Sequence, residues 1–315
     1  MSKKPSSAAS AVDRLLSDHT ARILVAWQPG SDSEPLEFAA WLARTSKVRI
    51  RVVGTAVRLW PTKIGGKYKS WRKKQAAAHA KAVTKALNDV DFDEKYWDND
   101  VAVFVDGPSE ASLILEAAAD YRADLILMGS EPKAPSGRFF ASPTVDTLLH
   151  SSPLPIGLVP RRAKLSKRGV TRVNLAFIEA NNDNWTECTQ LSAGFADRWD
   201  VPLRLVAFSP TGLSGGTIDL SDKLADTWTE QAYAMLDRAC DSVMDSFPDL
   251  TVITALGSGT GWTGAVDSLK WKKGDLMVLG SHPLGPLERV FVGSTAAEFL
   301  RTVPVPVIVQ PLQGN

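Results

Sequence analysis

The sequence predicts an α/β protein made of two doubly wound domains in tandem, each a five-stranded parallel sheet with helices on both faces. Three observations predict it: a length of 315 residues, a long internal repeat, and short apolar runs alternating with helical patterns. That length exceeds one ordinary α/β domain and suits two. The repeat is direct. Asp124-Leu125-Ile126-Leu127-Met128-Gly129-Ser130 returns 151 positions later as Asp275-Leu276-Met277-Val278-Leu279-Gly280-Ser281. Pro153-Leu154-Pro155-Ile156 returns at the same offset as Pro304-Val305-Pro306-Val307, and Arg22-Ile23-Leu24-Val25-Ala26 returns at Arg172, 150 positions on. A period this long means two copies of a domain rather than a solenoid.

The elements follow in order. Strands are expected near 22–27, 48–59, 101–105, 124–128 and 155–159, with helices near 34–45, 71–89, 109–120 and 143–150. The second copy repeats this with strands near 172–178, 202–208, 250–254, 275–279 and 305–309 and helices near 184–198, 219–245, 263–270 and 294–301. Strand–helix alternation signals βαβ units and a parallel sheet. Leu125–Met128 and Leu276–Leu279 are apolar throughout, as strands covered on both faces must be. The expected domains are 20–160 and 170–312, joined by the polar, basic linker 161–169, with 1–19 a polar tail bearing a short helix near 11–16.

Composition narrows the function. A formal net charge of +1 supplies no global field toward nucleic acid or an anionic membrane. No run approaches the ~18 apolar residues of a membrane span, and the N-terminus lacks the apolar core of a secretory signal. Cys188 and Cys240 form neither a metal-ligand spacing nor a disulfide framework, which fits a reducing cytoplasm. His19, His79 and His150 share no motif spacing, and no nucleophile elbow, zinc-protease helix or Walker loop is present. Lys63, Lys67, Lys69, Arg72, Lys73, Lys74, Lys81 and Lys85 form a basic run beside Tyr68 and Trp71, read as a solvated helix face rather than a nucleic-acid surface. Trp262 and Trp271 are read as packing residues.

The informative stretch runs from Gly280 to Thr295. It leaves an apolar strand at a glycine, crosses about a dozen residues and opens a helix with Gly293-Ser294-Thr295. Glycine lets a ligand approach the backbone, Ser or Thr caps a helix start, and free N–H groups there attract an anion. This spacing resembles the ATP loop of the universal stress protein family, Gly-x2-Gly-x9-Gly-Ser/Thr, and the likeness covers about residues 20–160 and 170–312. The resemblance implies an adenine nucleotide, ATP with Mg, held in the second copy by Gly280, Ser281, His282, Gly285, Gly293, Ser294 and Thr295, with Glu179 at the end of the first strand. It also implies a cytoplasmic stress-response role, hydrolysis that is feeble at most, and domains joined through their last strands, with a homodimer through other surfaces left open.

Departures from the family pattern keep a second reading alive. Pro283 replaces the middle glycine, and Gln28 and Ile178 stand where nucleotide-binding members carry an aspartate. In the first copy Gly129 survives, but Pro132, Ser142 and Pro143 occupy the other loop positions. Pro143 has no N–H to offer a phosphate and suits a helix's first turn. Nucleotide is therefore expected in the second copy and not the first. The alternative is an interaction or scaffold protein with both pockets degenerate.

Overall fold

The computed structural model describes residues 20–58, 66–178, 185–212, 222–280 and 294–311. The first half runs β1 (Ala21–Ala26), α1 (Glu34–Ala43), β2 (Val48–Val57), α2 (Gly66–Asp89), a short 3-10 turn (Glu94–Tyr96), β3 (Trp97–Gly107), α3 (Glu110–Tyr121), β4 (Leu125–Gly129), α4 (Pro143–Ser151) and β5 (Ile156–Val159). The second repeats it with β6 (Arg172–Phe177), α5 (Trp185–Arg198), β7 (Leu203–Thr211), α6 (Asp222–Ser246), β8 (Val252–Thr260), α7 (Gly261–Asp267), β9 (Asp275–Gly280), α8 (Ser294–Leu300) and β10 (Val307–Gln310). Every predicted element within the described residues is present. The largest shifts are at α2, which starts earlier than read, and at β3 and β8, which run on to the turn before the next helix.

The strands are ordered β3-β2-β1-β4-β5-β10-β9-β6-β7-β8 in one sheet. Within each half all neighbours are parallel. Between the halves β5 and β10 pair antiparallel, with Ile156 opposite Val309 and Leu158 opposite Val307. Two five-stranded sheets thus fuse into one of ten. The reason is physical: an apolar strand left at a sheet edge exposes unpaired N–H and C=O groups, and each final strand supplies what the other lacks.

Side chains alternate across the sheet, which sorts the core into two layers. Ile23 and Val25 face one layer with Phe38 and Trp41 of α1, Leu87 of α2, Phe195 of α5 and Leu236 of α6. Leu24 faces the other with Ile114 of α3, Leu148 of α4, Ala265 of α7 and Phe299 of α8. Both layers draw residues from both halves, so the seam lies inside the core. A fully buried Leu, Ile or Phe is worth about 1.5–3 kcal/mol. The linker is tied down on both sides: the Val170 N–H donates to Thr45 Oγ1 at 2.8 Å, and the Ser166 N–H to the Lys273 carbonyl at 2.8 Å.

At the amino end of the second half's strands a buried charge cluster closes the sheet. Arg172 donates to both oxygens of Asp275, at 2.8 and 2.6 Å. Arg204 donates to Asn174 at 2.7 Å and lies over Trp271, 4.6 Å from the ring centroid. Burial and the nearby Arg172 push the Arg204 guanidinium down to about 10. Trp271 is thus a packing residue, as expected from sequence.

Candidate functional site

In the first half the chain steps outward from β1 to β2 and β3, then returns to β4 on the other side of β1. In the second it does the same about β6, with β7 and β8 on one side and β9 on the other. Loops leaving the carboxyl ends of β1 and β4 therefore diverge and open a crevice, the usual place for a ligand in such sheets, and β6 and β9 are neighbours in the same strand order.

In the second half, Gly280 is the last residue of β9 and pairs with Gln310 of β10. Ser294 opens α8, and Thr295 follows it, partly buried. Both described ends of the candidate loop are where the sequence predicted them. Ser281, His282, Gly285, Gly293 and Glu179 lie outside the described residues. Ile178, just past β6, packs against the apolar layer and brings no acceptor to the strand end. The turn from β8 into α7 is rich in glycine: Gly257, Gly259, Gly261 and Gly264. Gly261 has φ +61°, which favours glycine. A Cβ on Gly259 would lie 2.5 Å from the Gly264 carbonyl carbon, so glycine lets the strand end meet the helix's first turn. Below it Trp262 packs edge-on to Phe299, 5.5 Å between centroids, and to Phe208 at 6.4 Å. Trp262 is core, again as read from sequence.

The first-half loop is described throughout, and it is built as a brace. Gly129 serves packing, because a Cβ there would meet Pro35 Cγ at 2.9 Å. The Glu131 N–H donates to the Phe140 carbonyl at 2.9 Å, and the Phe140 N–H to Ser130 Oγ at 2.8 Å. Ala134 and Phe139 are buried. The Gly137 N–H donates to the Arg161 carbonyl at 2.6 Å, and the Arg161 N–H to the Arg138 carbonyl at 3.0 Å. Arg138 then crosses to the second half, donating to the Thr302 carbonyl and pairing with Asp267 at 3.3 Å. Ser142 Oγ caps α4 by accepting from the Val145 N–H at 3.2 Å, with Pro143 at the first helical position. The Glu131, Gly137 and Phe140 N–H groups are thus committed within the brace, and Pro143 has none to offer.

Above this brace lies a cleft of about 130 Å³ floored by Ala26, Val53, Ile114 and Met128. Gln28, at the place where the family carries an aspartate, donates to Thr55 Oγ1 at 2.6 Å and to Glu110 at 3.4 Å. Glu110 also accepts from Thr55 at 2.8 Å and from Thr144 at 2.6 Å. Sequence reasoning missed Thr55, Glu110 and Thr144. The one local signal was Ser109-Glu110, a cap and an acidic first turn directly after a strand. Its partners come from 34 to 82 positions away.

Other candidates resolve into structure. The Tyr68 hydroxyl donates to Asp106 at 2.9 Å, Arg58 pairs with the same carboxylate, and Trp71 stacks on Tyr68 with centroids 6.0 Å apart. The aromatic residues of the basic run are thus engaged by the protein itself. Burial pushes the Cys188 thiol up to about 12, well away from a reactive thiolate. Among the described residues no group of three or more His, Cys, Asp or Glu is placed to hold a metal, and no helix is long and apolar enough to cross a membrane.

Comparison with known proteins agrees with this architecture. The model of the universal stress protein family matches residues 19–160 and again 187–311. A universal stress protein of Mycobacterium bovis is 27% identical over 288 residues, covering 88% of this chain and 94% of its own. One from Mycobacterium tuberculosis gives the same figures. Among solved structures, a universal stress protein from Archaeoglobus fulgidus superposes with a TM-score of 0.60 at 17% identity, covering 92% of this chain and 97% of its own.

Proposed function

The chain belongs to the universal stress protein family, and from that premise we propose that it is a cytoplasmic stress-response protein whose second half, residues 170–312, holds an adenine nucleotide, ATP with Mg in the first instance. The first half, residues 20–160, does not hold one. The observation that carries this reading is a contrast at equivalent helix starts. α3 opens with Ser109 as cap and Glu110 as first residue; α7, 151 positions on, opens with Thr260 and Gly261. A carboxylate guards one crevice, and a glycine stands at the same place in the other. That β9 ends at Gly280 and α8 opens at Ser294, in the order of the family's loop, supports the reading. A partner-binding or scaffold role draws support from Ile178, whose apolar side chain cannot accept a hydrogen bond.

Calorimetric titration of the full chain with ATP, ADP and AMP tests the reading, with one site expected. Gly293→Val abolishes that binding while leaving the circular dichroism spectrum unchanged, because a branched side chain holds a ligand off the backbone. Unchanged affinity in that variant, or no heat from any of the three nucleotides, selects the scaffold reading.

A further inference from the structure

Helix starts attract anions because their first N–H groups lack partners and the helix dipole is positive there. At the first-half crevice each of two such starts opens with a glutamate. Glu34 is the first residue of α1 and Glu110 the first of α3, and both line the cleft. A phosphate entering here would meet negative charge where a phosphate binder offers donors.

Neither carboxylate has a cationic side chain as partner among the described residues. Glu110 accepts from Thr55, Gln28 and Thr144, all of them neutral. Glu34, only 7% exposed, accepts the Arg162 backbone N–H on Oε1 at 2.7 Å, and no hydrogen bond from a described residue reaches its Oε2. Asp32 at the mouth is paired with Arg161 at 3.3 Å. Among the described residues no Lys, Arg or His lines the cleft. A buried carboxylate, Glu34, and a partly buried one, Glu110, line the cleft together with its apolar floor and Trp27. An aromatic side chain and a carboxylate together favour a cation, and a charge-assisted hydrogen bond is about twice as strong as a neutral one.

We propose that the first-half crevice is a binding site for a small organic cation: an amidinium or ammonium group carried on a body no larger than one ring. The charged end meets Glu34 and Glu110, and the body lies on Ala26, Val53, Ile114 and Met128. The cleft's volume of about 130 Å³ sets the size limit, since a cavity of about 150 Å³ accommodates benzene. The site is independent of any nucleotide in the second half.

The test uses the full-length protein and benzamidine as probe, with benzamide as its neutral isostere. Benzamidine binds one site, benzamide binds at least about tenfold more weakly, and raised salt weakens only the former. Glu34→Gln and Glu110→Gln each lower benzamidine affinity about tenfold, and saturating ATP does not displace the probe. Equal binding of benzamide, no binding of benzamidine, or full affinity in both Gln variants overturns the proposal. If Glu34→Gln misfolds, Glu110→Gln and the neutral isostere still decide it. Displacement by ATP would place the probe in a nucleotide site and overturn it as well.

Discussion

The long helices α2 and α6 hold equivalent places in the two halves, yet their outer faces differ in sign. α2 carries Lys67, Lys69, Arg72, Lys73, Lys74, Lys81 and Lys85 against the single acid Asp89. Over its described side chains α6 carries Glu230, Asp237, Asp241 and Asp245 against Arg238. Their inner faces agree: Val83 and Leu87 in one, Leu236, Ala239 and Val243 in the other, all buried in the same layer. Duplication therefore preserved what the core needs and released what water covers. The helix starts obey the same logic, with Glu110 opening α3 in one half and Gly261 opening α7 in the other.

Several substitutions would break or sharpen that comparison. The largest effect is expected at the charge cluster of the second half. Asp275→Ala leaves Arg172 and Arg204 buried beside no anion, and losing one partner of a buried pair costs about 3–5 kcal/mol. Urea unfolding should show the loss; a change below ~1 kcal/mol would mean that the cluster admits water readily.

Next comes the exchange of crevice chemistry. Gly261→Glu places in the second half the carboxylate that Glu110 places in the first, and ATP affinity should fall at least about tenfold through like-charge repulsion. The positive φ of Gly261 strains any side chain, so Gly261→Gln is the control. It carries the same strain and shape without the charge, and should retain more affinity than the glutamate. Equal losses in the two variants would assign the effect to strain.

A smaller change is expected at the brace. Arg138→Ala removes the contacts to the Thr302 carbonyl and the partly exposed Asp267. A hydrogen bond from a charged group contributes about 1.5–3 kcal/mol, and exposed pairs under about 1, so thermal unfolding should show a drop of about 1–2 kcal/mol. An unchanged melting temperature would show that the loop is held without Arg138's contacts across the seam.

The smallest effect separates the halves by pH. His79 of α2 is buried against Gly54, where a Cβ would lie 2.5 Å from the ring, while α6 contains no histidine. Burial lowers the imidazole's pKa below its ordinary value of 6.5. The folded state therefore binds fewer protons than the unfolded state as pH falls through 6.5, and stability declines below it. Melting temperature should drop between pH 7 and 5, and less so in His79→Leu. An identical pH slope in both proteins would remove His79 from the account.

Much of this was legible in the residues themselves. Asp124–Ser130 and Asp275–Ser281 announce the repeat, and the apolar runs between turn residues place the strands to within a few positions. The Pro-flanked final strands point to an edge that needs a partner. Such features are local, because a strand's period and a helix's cap are written in neighbouring residues.

What only tertiary structure decided depends on residues far apart in the chain. Glu34 and Glu110 carry no shared motif, and they line one cleft because two crossovers start their helices at the same carboxyl end of the sheet. Arg138 reads as one more loop arginine until its guanidinium reaches Thr302, 164 positions away. Gly129 and Gly280 look alike in sequence, yet the first is held to glycine by Pro35 of α1. Backbone pattern selects the elements, whereas the chemistry of a crevice is set by which side chains the fold brings within 3 Å of each other, and sequence spacing does not encode that distance.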